Sequence, residues 1–262
     1  QKETATVQLP EDEIHIWQVD LANVDIEALT KQALSWMKTN EIIRYERLIQ
    51  LRHRLEFLLG NWLTRICLSE YSGLPMGDWQ FSHNAYGKPR PSDGLGAQAP
   101  YFNLSHSHGR AVLALSRTPQ LGVDIEFAGR ERRVSRIAHR YFAEREAQGL
   151  LALSGLAQQQ RFYELWSLKE AYMKARGLGL TIPLGSFAYE LSPGKLDLYE
   201  KTQARTTILR WQSWQLGVEI PYVLALAVQL QTGESRKGLR AFRYENMEAY
   251  FEEAVSILRA TD

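Results

Sequence analysis

Val112-Leu113-Ala114-Leu115 returns later in the chain as Val223-Leu224-Ala225-Leu226. A short apolar run of this kind suits a buried strand, and its recurrence suggests one structural unit written twice. The surroundings of the two words agree with that reading. Residues 14–19 alternate apolar and polar with period two, and residues 121–127 supply a comparable strand in the second half. Between the first strand and the first word, Ile42, Tyr45, Leu48, Leu55, Leu59, Trp62 and Ile66 recur at helical spacing over residues 41–71, stopped by Gly73 and Pro75. Between the second strand and the second word lie a basic helical stretch over residues 132–151 and a strong helix over residues 161–176, ended by Gly177 and Gly179.

Further strands are expected over residues 79–82, 101–104, 111–116, 186–191, 195–199, 206–216 and 222–230, with a Gly- and Pro-rich loop over 87–100. At the tail, Met247, Tyr250, Phe251, Ala254 and Leu258 fall on one face of an amphipathic helix predicted over residues 238–259. The sum is an α+β chain of two similar, pseudo-duplicated α+β subdomains, 1–118 and 119–262, parted at Thr118-Pro119-Gln120. In such a pair the seam is the natural ligand cleft.

Bulk composition excludes several classes. With 262 residues, 45% hydrophobic and 23% charged, the chain sustains a sizeable core and is not disordered. A formal net charge of +1 does not suit a polyanion such as nucleic acid, so charge recognition rests on local patches. Cys67, the only cysteine, forms neither an internal disulfide nor a multi-cysteine metal site, and its apolar helical setting predicts a buried, inert thiol. The opening residues carry acids and alternate in polarity, unlike a secretion signal. No apolar run approaches the roughly 18 residues of a membrane span. The expected location is the cytoplasm.

The chemistry concentrates in a few segments. In Gly122-Val123-Asp124-Ile125-Glu126 the two acids are two apart, which on a strand puts both carboxylates on one face. Converging carboxylates repel unless a proton or a cation such as Mg²⁺ relieves them, whereas on an exposed edge they are merely solvated. On the helix that follows, Trp166, Glu170 and Lys174 share a stripe at i, i+4 and i+8. A Trp on that stripe implies partial burial, which is costly for a carboxylate and an ammonium without partners. A third acid for a metal and a cation for a phosphate account for both. In the first half, Tyr86-Gly87-Lys88-Pro89 is a turn presenting one lysine, and Phe102-Asn103-Leu104-Ser105-His106-Ser107-His108-Gly109 is a strand running into a polar loop. Ser105 and His106, being adjacent on a strand, point to opposite faces, which favours phosphate hydrogen bonding over a nucleophile and base; His108 reads as a surface histidine. Arg130, Arg132, Arg133, Arg136 and Arg140 face a single acid, Glu131, and read either as a solvated helix face or as a dock for an acidic protein.

Taken together, Gly87-Lys88-Pro89, the strand from Phe102 to Ser107, Gly122 to Glu126, and Trp166-Ser167-Leu168-Lys169-Glu170-Ala171-Tyr172-Met173-Lys174 stand in the order that resembles Sfp-type 4′-phosphopantetheinyl transferases, over roughly residues 14–230. The resemblance implies two α+β subdomains with the active site at their interface. It implies transfer of phosphopantetheine from coenzyme A to a serine of an acyl or peptidyl carrier protein. Asp124, Glu126 and Glu170 would hold Mg²⁺, Lys174 would neutralise the leaving 3′,5′-ADP, and Lys88, Ser105 and His106 would bind the nucleotide and its 3′-phosphate. Glu146 matches a family glutamate suspected of deprotonating the serine, so the base lies open between Glu146 and Glu170. Where the family often carries a basic residue four positions before Gly60, this chain has Glu56; the phosphate-gripping arginine is therefore open among Arg44, Arg47, Arg52 and Arg54. The stretch from Arg130 to Arg140 resembles the carrier-protein dock, and a monomer is expected. The rival readings are a Mg²⁺-dependent nuclease and a non-catalytic carrier-protein binding module. Near-neutral charge weighs against the first, and the full set of acids and lysine against the second.

Overall fold

The computed structural model describes residues 7–92, 94–95, 99–200 and 210–262. In chain order the elements are β1 (Glu13–Asp20), α1 (Ile26–Trp36), α2 (Thr39–Glu46), α3 (Leu51–Ser72), β2 (Phe81–His83), β3 (Pro89–Pro91), β4 (Tyr101–Ser107) and β5 (Arg110–Ser116). There follow β6 (Leu121–Phe127), α4 (Val134–Tyr141), α5 (Glu144–Leu151), α6 (Gly155–Arg176), β7 (Phe187–Ser192), β8 (Gly194–Glu200), β9 (Arg210–Leu216) and β10 (Tyr222–Leu230). The tail supplies β11 (Gly238–Tyr244), β12 (Tyr250–Glu253) and β13 (Ile257–Thr261). The fold is α+β. Among the described residues no helix is long and apolar enough to cross a membrane.

The chain forms two compact units. One runs to Pro119 and takes in Gly238–Ala254; the other holds Gln120–Lys237 and Val255–Asp262. The first unit has a five-stranded sheet in the order β12-β11-β1-β5-β4, with β1 antiparallel to β5 and parallel to β11. Helix α3 lays Leu58, Leu59, Trp62, Leu63 and Cys67 onto Trp17, Leu113, Leu115 and Phe242 of that sheet. As its apolar setting predicts, Cys67 is buried, and burial pushes its thiol well above its usual pKa.

The second unit has a six-stranded sheet in the order β6-β10-β9-β13-β8-β7. Helix α6 buries Leu168, Ala171, Tyr172 and Ala175 against Val223, Ala225 and Ala227. The order β6-β10-β9 under α6 repeats the order β1-β5-β4 under α3, and each helix has 22 residues. The two Val-Leu-Ala-Leu words occupy β5 and β10, the middle strand of each trio.

One contact in the second unit fixes where its helix sits. A Cβ built on Gly122 would stand 2.0 Å from the carbonyl oxygen of Ala171 and 2.4 Å from the amide nitrogen of Ala175. Backbone therefore lies on backbone where β6 passes under α6, and only glycine allows it. Gly122→Ala is expected to cost on the order of 3 kcal/mol, since the helix must lift off the sheet. Chemical denaturation reads this directly, and a loss below about 1 kcal/mol would show that the packing yields easily.

The tail departs from expectation. The helix predicted over residues 238–259 is instead three strands: β11 and β12 extend the first sheet and β13 enters the second. Glu13 to Val19 pair in parallel with Gly238 to Tyr244, burying Phe242 and Tyr244. After β11, Asn246 Oδ1 accepts from the N–H groups of Glu248 and Ala249, a turn that reverses the chain into β12. Elsewhere the single helix expected over 41–71 is α2 and α3, and that over 132–151 is α4 and α5, broken at Phe142 and Ala143. The loop expected over 87–100 contains β3, paired with β2. Of the strand expected over 206–216, residues 206–209 lie outside the described residues.

Candidate active site

Because Gly122 faces α6, so do Asp124 and Glu126, two and four residues on, while Val123 and Ile125 are buried on the other face of β6. Across from them Trp166, Glu170 and Lys174 form a half-buried stripe on α6. Lys174 Nζ donates to Asp124 Oδ1 at 2.7 Å and to the carbonyl oxygen of Val123 at 3.2 Å. Ser167 Oγ donates to the carbonyl oxygen of Asp124 at 3.0 Å, tying strand to helix one turn before Glu170. The Trp166 ring stacks on Phe162, with centroids 5.8 Å apart.

Carboxylate crowding shows in the titration of these acids. Burial, aided by the charges of Asp124 and Glu170, pushes Glu126 up to about 7, against the opposing pull of Lys174 and Arg132. Burial and then Asp124 likewise raise Glu170, with Lys174 opposing. The charge of Asp124 thus acts on both Glu126 and Glu170, with the Lys174 ammonium opposing both shifts. Among the described residues, no three His, Cys, Asp or Glu side chains form a ready-made metal cage. Arg132 reaches this site as well, although its sequence neighbourhood groups it with the basic stretch. Gln159 holds both its N–H (3.1 Å) and its carbonyl oxygen (2.8 Å), and Tyr163 accepts from its Nε. No sequence spacing signals that arrangement, because it rests on side chains of α6 meeting an irregular loop. Arg130, Arg132, Arg133, Arg136 and Arg140 are all exposed.

Glu146 is not part of this constellation. Its carboxylate and the Lys169 ammonium are both fully buried, 2.7 Å apart, and Glu146 also accepts from the N–H groups of Ala143 and Tyr189. Lys169 donates further to the carbonyl oxygen of Phe187. A carboxylate held by this many donors and closed to solvent is poorly placed to collect a proton from a substrate, which favours Glu170 of the two candidates for the base. Glu146 is a structural node joining α5, α6 and β7.

In the first unit, a cavity of about 330 Å³ is lined by Phe57, Phe81 and Phe102 and by Lys38, Arg44 and His106, among others. Arg44 lies over the Phe57 ring, 5.5 Å from its centroid. His106 reaches the cavity from the same face of β4 as Phe102 and Leu104, whereas Ser105 is buried on the opposite face, so the strand does not bring the two together. Of the four candidate arginines, Arg54 donates its guanidinium to the carbonyl oxygens of Leu48 (2.6 Å) and Glu46 (3.3 Å) and lies over Tyr45, tying the turn between α2 and α3, whereas Arg44 lines the cavity. Lys88 follows a turn closed by Asn84 Oδ1, which accepts from the N–H groups of Tyr86 and Lys88; burial lowers the Lys88 ammonium to about 8.

With this geometry in view, comparison with known proteins is specific. A family model for the 4′-phosphopantetheinyl transferase superfamily matches residues 120–227, the stretch that carries β6, α6 and most of β10. The chain is 32% identical over 169 residues to the 4′-phosphopantetheinyl transferase HetI of a Nostoc species, covering 64% of this chain and 70% of that one. It is 35% identical over 163 residues to the 4′-phosphopantetheinyl transferase ffp of Bacillus subtilis, covering 62% and 70% of the two chains. Similarity to the 4′-phosphopantetheinyl transferase Sfp of Bacillus subtilis reaches 40% over 135 residues, or 51% of this chain and 57% of the other. The matched stretch includes the acid-bearing strand and the lysine-bearing helix, and this chain is an enzyme that belongs to the 4′-phosphopantetheinyl transferase family.

Proposed function

We propose that this enzyme transfers the 4′-phosphopantetheine arm of coenzyme A to a serine of an apo acyl or peptidyl carrier protein, releasing 3′,5′-ADP in a Mg²⁺-dependent reaction. The observation that carries the reading is the crowding of Asp124, Glu126 and Glu170 around Lys174 on two elements in backbone contact. Family membership sets aside the nuclease and the non-catalytic binding module as rivals.

The donor set fits a hard dication. All of its ligating atoms are carboxylate oxygens, and two of the three acids are raised by burial and mutual repulsion that a cation relieves. Asp124, Glu126 and Glu170 would hold the ion, which when bound neutralises charge on the coenzyme A pyrophosphate. The remaining chemistry belongs to the chain. Glu170 takes the proton of the carrier serine, directly or through a water. The serine oxygen then forms a bond to the β-phosphorus as the bond from that phosphorus to the ADP oxygen breaks. Lys174, a cation already poised at Asp124, donates to the departing phosphate. Arg44, Lys88 and His106 contact the nucleotide, His106 at its 3′-phosphate. The exposed arginines from Arg130 to Arg140 give an acidic carrier a docking surface. A single buried thiol suits a reducing compartment, the cytoplasm, and a chain with both α+β units suits a monomer.

Chelation tests the metal assignment. Transfer should fall to background in EDTA and return on adding excess Mg²⁺. Chelator-resistant transfer would remove the metal from the reading and leave Lys174 as the main source of positive charge.

A further inference from the structure

Glu56 is a buried acid in an anion-friendly cavity. It is 5% exposed and lies on α3, at the wall of the cavity that His106 also lines. One carboxylate oxygen accepts the N–H of Gly109 at 3.0 Å, and the other stands 3.5 Å from His106 Nδ1, with Arg52 Nε at 3.7 Å from the carboxylate. The His106 side chain is 43% exposed against 6% for that of Glu56. The imidazole thus turns Nδ1 inward to the acid and leaves its other edge to the open side. Burial pushes the Glu56 carboxyl up, but the His106 and Gly109 contacts outweigh it and the group lies below its usual value, ionised.

The second carboxylate of the cavity, Glu41, is matched too: Arg65 donates to both of its oxygens, at 2.9 and 2.7 Å. Each acid lining the cavity therefore meets a basic side chain, Arg52 and His106 at Glu56 and Arg65 at Glu41, and Lys38 and Arg44 add positive charge. A carboxylate at one imidazole nitrogen fixes the orientation of the ring and which edge it presents to a ligand. Placed behind an exposed histidine, it holds the ring so that its other edge, an N–H donor, faces the open side.

Resting on the reading that His106 meets the nucleotide, we propose that Glu56 is a positioning residue for His106, and that the pair presents the N–H at the far edge of the imidazole to the 3′-phosphate monoester of coenzyme A. The acid at this position, where the family often has a base, then sets the preference for coenzyme A over 3′-dephospho-coenzyme A through the histidine rather than by direct contact.

The test is KM for both nucleotides in the wild type, Glu56→Gln and His106→Ala. Glu56→Gln keeps an acceptor for Gly109 and is expected to raise KM for coenzyme A about tenfold, one charge-assisted hydrogen bond, against less than about twofold for the dephospho form. His106→Lys in the Glu56→Gln background should restore the preference, because a lysine donates to a phosphate without a carboxylate to orient it. Should Glu56→Gln not fold, Glu56→Asp, which retracts the charge, is read in the same way. Equal rises in both KM values would make Glu56 a purely structural residue. An unchanged or lowered KM for coenzyme A would also overturn the proposal. If His106→Ala removes the preference and Glu56→Gln does not, only the role of Glu56 falls. If His106→Ala leaves the preference intact, the nucleotide reading of His106 falls, and the proposal with it.

Discussion

Glu170→Gln is expected to lose more than about 100-fold in transfer rate while the protein stays folded. The substitution removes a negatively charged oxygen donor and the proton acceptor together, yet it changes no apolar contact. Its effect on stability has the opposite sign to its effect on rate. Burial and the charge of Asp124 already raise the Glu170 carboxyl, so a neutral amide relieves repulsion and the melting temperature should hold or rise. Single-turnover kinetics with saturating coenzyme A and carrier, beside a melting curve, reads both quantities. A rate within a few-fold of wild type would remove Glu170 from both the metal site and the proton transfer.

Lys169→Met is the converse case, large in stability. Lys169 and Glu146 are both closed to solvent, and the lysine holds the carboxylate and the Phe187 carbonyl together. Burial lowers the Lys169 pKa from its ordinary value, against the pull of Glu146. Removing the lysine leaves a buried carboxylate with, among the described residues, only the N–H groups of Ala143 and Tyr189, a loss expected at about 3–5 kcal/mol. Replacing both partners, Lys169→Met with Glu146→Leu, should recover much of that, because no uncompensated charge remains. Denaturant titration of the single and double variants decides it. A single variant that loses less than about 1 kcal/mol would mean that the pair is not the joint between α5, α6 and β7.

The acid-bearing strand and the lysine-bearing helix were readable because local period determines them. A strand places residues two apart on one face, so Asp124 and Glu126 share the α6 side of β6; a helix aligns residues four apart, so Trp166, Glu170 and Lys174 share a stripe. The repeated apolar word likewise led to two corresponding strands, β5 and β10. The tail was not readable in that way. Met247, Tyr250 and Phe251 fall at helical spacing, but the conformation is set by pairing of β11 with β1, more than 200 residues earlier, a non-local contact that overrides local pattern. Glu146 is a related case. The motif around it is the same whether its carboxylate faces a substrate or a buried lysine, and only the packing of Lys169 separates the two. The role of Arg54 was hidden likewise, since sequence does not say which carbonyls a guanidinium will meet.

The most direct test of the central claim is the intact mass of an apo acyl carrier protein after incubation with this enzyme, coenzyme A and Mg²⁺. The account predicts a gain of one phosphopantetheine on the carrier serine. Unchanged mass across several unrelated carriers, with the enzyme folded and both cofactor and substrate in excess, would contradict it.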